Sequence, residues 1–330
     1  MSLFRLLSKG KTRYTFDGRE VIITNKGKTD RKALRILTET IKEVCQTSPL
    51  AKIFPKLEFI IEPKENKTAD AVENILGWVE FNETAEGKDI VHLYDRGVTR
   101  DYAKVEKLIV HELTHLWHYH ISMFPKTMIK VQKRVGAVAK KNIDLNLPQA
   151  NGLAYFRSSF TMFFQQIFIE GLAIFSEGYA RKEIIFDKEH FTNSHANAIV
   201  DIEDFYHWWN FLKEVAEDKN SIKRRFKDDR INQPLSYLEA IRKKGKYTLG
   251  YHVIYTIFFV SHQIKGVETT LESISKWKLY ELIQVYEFCM LYLNKTPLIS
   301  YNSGAGKIDY NKILNEWWAL AKKIGVTTVK

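Results

Sequence analysis

An α+β fold is what this sequence predicts, with a small mixed sheet-and-helix lobe over residues 1–121 and a larger, all-helical lobe over 122–330. Three observations carry that reading. Short runs that alternate apolar and polar residues occur only in the first hundred positions, the alternation vanishes after Pro125, and later segments repeat their apolar residues at helical spacing. The switch follows a strongly helical run ending near His120, which places that helix at the junction of the two lobes, where clefts commonly form.

In chain order, Arg13–Phe16 and Glu20–Thr24 flank Asp17-Gly18, a hairpin signal because both turn positions tolerate positive φ. Residues 30–47 read as a helix with Leu34, Ile36, Leu37, Ile41 and Val44 on its apolar side. Lys56–Ile61, Gly77–Phe81 and Ile90–Tyr94 are three further short strands. A helix over 99–120 closes the first lobe: Val105, Ile109, Leu113 and Leu116 form its stripe, Thr99 suits the cap and Asp101 the first turn. Beyond it, helices are expected near 126–141, 153–185, 195–218, 234–244, 248–265, 269–293 and 310–323. Asn146–Pro148, Gln233-Pro234 and Ser303–Gly306 punctuate them.

A chain of 330 residues at 45% hydrophobic, 27% charged and 13% aromatic is globular, not disordered, and buries an aromatic-rich core. Its formal charge of +11 includes two basic clusters, Lys223–Lys227 and Arg242–Lys246. Asp228 and Asp229 directly follow the first, and no nucleic-acid motif accompanies either, so both read as solvated helix faces and no nucleic-acid partner is expected. Cys45 and Cys289 are too few for a disulfide framework and read as buried thiols of a reducing compartment. The apolar core of Met1–Gly10 is too short for a secretory signal; with no acid before Asp17 an organelle presequence stays open beside the preferred cytoplasmic reading. Phe160–Phe175 and Tyr251–Val260 are too short, or too interrupted by Gln165, Gln166 and Glu170, for a membrane span and read as core helices.

The chemistry concentrates in Val110-His111-Glu112-Leu113-Thr114-His115-Leu116. Helical positions i and i+4 share a face, so His111 and His115 present two imidazoles to one point, as a tetrahedral Zn²⁺ requires. Glu112 is placed beside such an ion, not on it, to take a proton from activated water. The plain alternative is two surface histidines on an amphipathic helix. A catalytic zinc needs a third protein ligand, and the metzincin continuation is closed because His118 and Ile121 stand where it has glycine and histidine.

Glu170, within Phe168-Ile169-Glu170-Gly171-Leu172-Ala173, is the better candidate. Its helix is apolar nearly all round, and a carboxylate there is costly unless it meets a cation or a metal. Gly171 and Gly178 each cost a helix interior about 1 kcal/mol relative to Ala, which suits a close helix approach, and Gly171 is expected to admit the helix bearing His111. Glu177 lies on the same face as Glu170 and either orients one of the histidines, sits on the helix surface, or exchanges roles with Glu170 as the ligand. His118 reads as a substrate-side or packing residue. Two imidazoles and a carboxylate favour zinc over Mn²⁺ or Co²⁺.

His-Glu-x-x-His followed by Glu-Gly-x-Ala resembles the gluzincin metallopeptidases, the group of thermolysin and the zinc aminopeptidases, over about a dozen residues. The resemblance implies a zincin-like fold, His111, His115 and Glu170 as zinc ligands, Glu112 as general base, and a peptide or protein substrate pairing with Ile90–Tyr94 as the edge strand. Two departures stand out: the stretch from His115 to Glu170 is longer than in those members and must hold an extra helix near 126–141, and Ile174 replaces the Asp of thermolysin-like enzymes. Gluzincins stabilise the oxyanion with a Tyr or His from the helical lobe. Here the segment Lys246–Tyr255 resembles their Tyr-x-x-Gly segment, which nominates Tyr251 or His252, then Tyr247, although such an aromatic stripe also suits a core helix. Gly77-Trp78-Val79-Glu80-Phe81-Asn82 matches the aminopeptidase Gly-x-Met-Glu-Asn strand only with an inserted residue, so endopeptidase activity is expected over exopeptidase and Glu80 stays outside the site. The rival expectations are a noncatalytic zinc scaffold for partner binding, against which the retained Glu112 argues, and a basic nucleic-acid-binding protein with steeply salt-dependent affinity.

Overall fold

Asp17 and Gly18 both take positive φ, 48° and 77°, and the tight reversal joins β1 (Gly10–Phe16) to β2 (Arg19–Asn25) in antiparallel register. The computed structural model describes residues 10–27, 29–63, 76–80, 88–122, 164, 167–217 and 232–323. Asp30 accepts the Ala33 N–H and so caps α1 (Arg31–Thr47), which returns the chain to β3 (Lys56–Glu62), parallel to β2. β4 (Gly77–Glu80) and β5 (Asp89–Tyr94) complete a five-stranded sheet of order β1-β2-β3-β5-β4, with β4 antiparallel to β5 and β5 parallel to β3. This order corrects one expectation. Ile90–Tyr94 lies inside the sheet, because Gly77–Glu80 occupies the edge beside it.

The chain is mixed α+β and forms two units, Met1–Ile121 with Ala173–Ile184, and Ser122–Leu172 with Ile185–Lys330. In the first, Leu34, Leu37, Ile41 and Val44 of α1 are buried, as are Phe59, Ile61, Val91 and Leu93 of the sheet. Val105, Ile109, Leu113 and Leu116 of α2 (Tyr102–Ile121) are buried as well. The helical stripe read from sequence is therefore the core face of α2. Its cap is Asp101, whose carboxylate accepts the Lys104 N–H at 3.3 Å, while Thr99 takes the Asp101 N–H one step earlier. Thr99 thus supports the cap and does not supply it.

A third helix, α3, runs over 167–180. It stops short of the expected 185 because Lys182 adopts φ 55° and the N–H groups of Lys182 and Glu183 turn back to the carbonyls of Tyr179 and Gly178, a left-handed helix stop. α4 (Lys188–Glu217) begins earlier than expected, capped by Asp187 through the His190 N–H at 2.7 Å. The separate helices expected at 234–244 and 248–265 are one, α5 (Asn232–Gln263). A single glycine, Gly245, costs a helix about 1 kcal/mol and does not break it.

The helix expected over 269–293 is instead two, α6 (Leu271–Ser275) and α7 (Leu279–Tyr292). Between them the Trp277 N–H returns to Ile274, and Glu281 accepts the Lys278 N–H at 2.7 Å to start a new helix. A short parallel ladder, β6 (Ile299–Ser300) with β7 (Ile308–Asp309), appears where only helix was expected, before α8 (Tyr310–Lys323). Phe205, Trp209, Val253, Ile254, Phe258, Tyr286 and Met290 of α4, α5 and α7 form the core of the second unit. The helix expected at 126–141, most of 153–166 and the basic cluster at 223–227 lie outside the described residues, as do the side chains of 242–247. Among the described residues, no helix is long and apolar enough to cross a membrane. Cys45 and Cys289 are free and buried.

Candidate metal centre

One turn of α2 separates His111 from His115, and their rings stand at 89° with Nε2 facing Nε2 at 3.1 Å. On the opposite edge of the His111 ring, Nδ1 lies 2.8 Å from the Glu177 carboxylate of α3. A carboxylate there takes the Nδ1–H and fixes the tautomer, with the Nε2 lone pair turned toward His115. Glu170, two turns earlier on α3, brings the third group: one ligand atom from each of His111, His115 and Glu170 lies within 4.8 Å of the others, and all three side chains are half-buried.

This donor set fits zinc. Two imidazole lone pairs 3.1 Å apart repel unless a proton or a cation lies between them. A tetrahedral ion with Zn–N bonds of about 2.0–2.1 Å holds two nitrogens roughly 3.3 Å apart, close to the spacing observed, and three protein donors leave a fourth position open. Of the two glutamates, Glu177 lies against Nδ1 of His111 and Glu170 shares the cluster. Removing the Glu177 carboxylate in Glu177→Ala is expected to weaken zinc binding about 10–100-fold, measured by competition with a chromogenic chelator. An unchanged affinity would show that the carboxylate does not hold the ring.

Glu112 points from the same helix toward the sheet edge and is only 5% exposed. A Cβ added at Gly77 would lie 2.7 Å from its Oε1 and 3.0 Å from its Cδ. A side chain at 77 would crowd this carboxylate and the His92 carbonyl oxygen 3.0 Å away, a contact that sequence reasoning missed although a glycine in a strand is the recognised signal of such an approach. Trp78 and Glu80 point to the other face by strand alternation, where Trp78 stacks on His92 at 3.7 Å and Glu80 lies 3.3 Å from His92 Nε2. Glu80 is thus directed away from Glu112. His118 is buried at 1% exposure, as a packing residue would be, and His120 contacts Asp89 at 2.8 Å.

Gly171 does mark a close approach, but the partner is α5 and not α2. Its added Cβ would fall 2.3 Å from the Gly250 carbonyl carbon, and one on Gly250 would fall 2.2 Å from the Ile167 carbonyl oxygen. Two bare backbones touch at this crossing. Gly178 instead packs on Ile184, which follows the helix stop.

The residues nominated for oxyanion stabilisation separate in character. Tyr251 is half-buried, its hydroxyl 2.7 Å from His190 Nε2, and burial pushes its phenol up to about 12. His252 is wholly buried, with Nδ1 3.0 Å from the Ser194 hydroxyl and Nε2 3.2 Å from His195 Nδ1. Burial, and then the nearby His195, lowers its pKa to about 3. Both nitrogens are engaged within the core, on the inner face of α5. The folded pKa lies below the unfolded value near 6.5, so the unfolded chain binds more protons between those values and stability falls as pH drops. From pH 7.5 to 5 this one group is expected to remove about 2 kcal/mol, checked by urea unfolding of the wild type against His252→Gln, in which that part of the slope disappears.

No protein-family model matches this chain, and neither a curated protein nor a solved structure matches it.

Proposed function

We propose that the chain is a zinc-dependent metallopeptidase of gluzincin type that cleaves internal peptide bonds. The observation that supports this reading is the cluster of His111, His115 and Glu170, with Glu177 on the outer nitrogen of His111. Those three side chains would hold the ion. When bound, zinc supplies Lewis acidity that polarises a carbonyl and makes water a competent nucleophile near neutral pH.

The chain's own residues do the rest. Glu112 accepts the proton of the attacking water and delivers it to the leaving amine nitrogen, so one carboxylate serves as base and then as acid. Glu177 keeps His111 in the tautomer that presents Nε2. β4 takes the substrate-aligning place expected of Ile90–Tyr94: its main chain pairs with β5 on one side, and an extended peptide adding to the other passes beside Gly77, against which Glu112 packs. Of the donors nominated for the oxyanion, the half-buried Tyr251 hydroxyl is favoured over the buried His252.

The test is metal removal and return. Hydrolysis of a mixed panel of unstructured peptides is expected from the zinc-loaded chain, to cease on dialysis against a strong chelator, and to return with one equivalent of Zn²⁺. Hydrolysis that survives complete removal of the metal, or no hydrolysis of any peptide by the loaded chain, overturns the proposal.

A further inference from the structure

A pocket of about 430 Å³ opens in the second unit, enclosed by α4, the segment joining β6 to β7, and the first turns of α8. That volume lies within the roughly 300–1,000 Å³ typical of small-molecule sites. Its walls carry three lysines, Lys213, Lys307 and Lys312, against two carboxylates, Asp309 and Glu316. One carboxylate faces a lysine and the other caps a helix, and both keep their charge. Glu316 pairs with Lys213 at 3.1 Å, and Asp309 caps α8 by accepting the Lys312 N–H at 3.0 Å. Three lysines against two carboxylates leave the lining one positive charge in excess; among the described residues the ammonium groups of Lys307 and Lys312 make no ion pair, while Glu316 and Asp309 act on Tyr206, whose phenol they raise after burial does. The lysine field reaches inward: after burial, Lys295 and Lys307 are what hold His195 below the ordinary imidazole range.

The wall bearing Lys307 is formed before any ligand arrives. Buried Glu287 accepts the Tyr301 N–H at 3.0 Å and the Ser303 hydroxyl, fixing the start of the loop. Gly304 takes φ +63°, and Gly306 packs so closely that an added Cβ would lie 2.5 Å from the Ser300 nitrogen. The Tyr206 hydroxyl donates to the Lys307 carbonyl and fastens the loop to α4. A rigid wall lowers the ordering cost of binding. Paired lysines suit a compact, multiply charged anion better than the planar fork of an arginine site, and the space exceeds what a lone phosphate ion fills.

We propose that this pocket binds a phosphorylated small molecule of sugar-phosphate or mononucleotide size, its phosphate between Lys307 and Lys312 and its organic part against Tyr206 and Ile313. No residue is shared with the metal cluster, so the assignment stands whether or not the chain cleaves peptides.

The test is calorimetric titration of the full chain with AMP and glucose 6-phosphate, with adenosine, glucose and inorganic phosphate as controls. One of the two esters is expected to bind at a single saturable site, at least tenfold more tightly than its unphosphorylated counterpart. Lys307→Ser/Lys312→Ser is expected to weaken that binding at least tenfold, with an unaltered circular dichroism melt as the folding control. Lys312→Gln alone gives the same direction of change should the double variant fail to fold. No saturable binding of either ester at millimolar concentration, equal binding of the unphosphorylated controls, phosphate uptake at several sites, or full affinity in the lysine variants overturns the proposal.

Discussion

Glu112→Gln is expected to lower peptide hydrolysis by the zinc-loaded chain about 10²–10⁴-fold, the usual worth of a positioned acid–base group, while zinc still binds one to one. The amide keeps the size and shape of the carboxylate, so the contact with Gly77 survives. It cannot accept a proton from water. The loss should therefore fall on kcat with KM nearly unchanged, the pattern of a group that acts in the transition state and not in substrate binding. Steady-state kinetics on one peptide, with metal content measured in parallel, gives the answer; a variant with full turnover would remove Glu112 from the mechanism.

Gly250→Ala is expected to destabilise the chain by about 1–3 kcal/mol, the range for forcing an extra methyl into a packed interior. Alanine is the better helix former by about 1 kcal/mol, so a stabilising change is what an isolated helix would show. At this position the added carbon would lie 2.2 Å from the Ile167 carbonyl oxygen, an atom of the backbone that cannot swing aside. The steric term wins. Gly171→Ala meets the Gly250 main chain at 2.3 Å and should behave alike. The double variant should cost less than the sum, because the first methyl already parts the helices. The urea midpoint falls with its slope unchanged if the contact is as described.

What was legible in the sequence was what depends on neighbours close along the chain. The Asp17-Gly18 reversal follows from two residues that tolerate positive φ, and the pairing of His111 with His115 follows from helix pitch alone. Glu170 could be found without its partner because a carboxylate in an apolar helix needs an explanation. Gly171 signalled a close approach, yet nothing local says which helix fills it, and Gly250 was identifiable only once α3 and α5 were seen to cross. The same limit hid the edge strand: alternation marks Gly77–Glu80 and Asp89–Tyr94 as strands but not which lies outside. Helices expected at 234–244 and 248–265 run on as α5, and the restart of a helix at Lys278 was hidden because the apolar spacing runs on through it.

Glu170 and Glu177 stand on one uninterrupted rod, seven positions and therefore roughly 10 Å apart along its axis. Fraying α3 would withdraw both the Glu170 carboxylate and the Glu177 contact to His111 in a single event. By linkage, an ion that required both would hold the rod wound, and its loss would loosen a segment well beyond its own ligands.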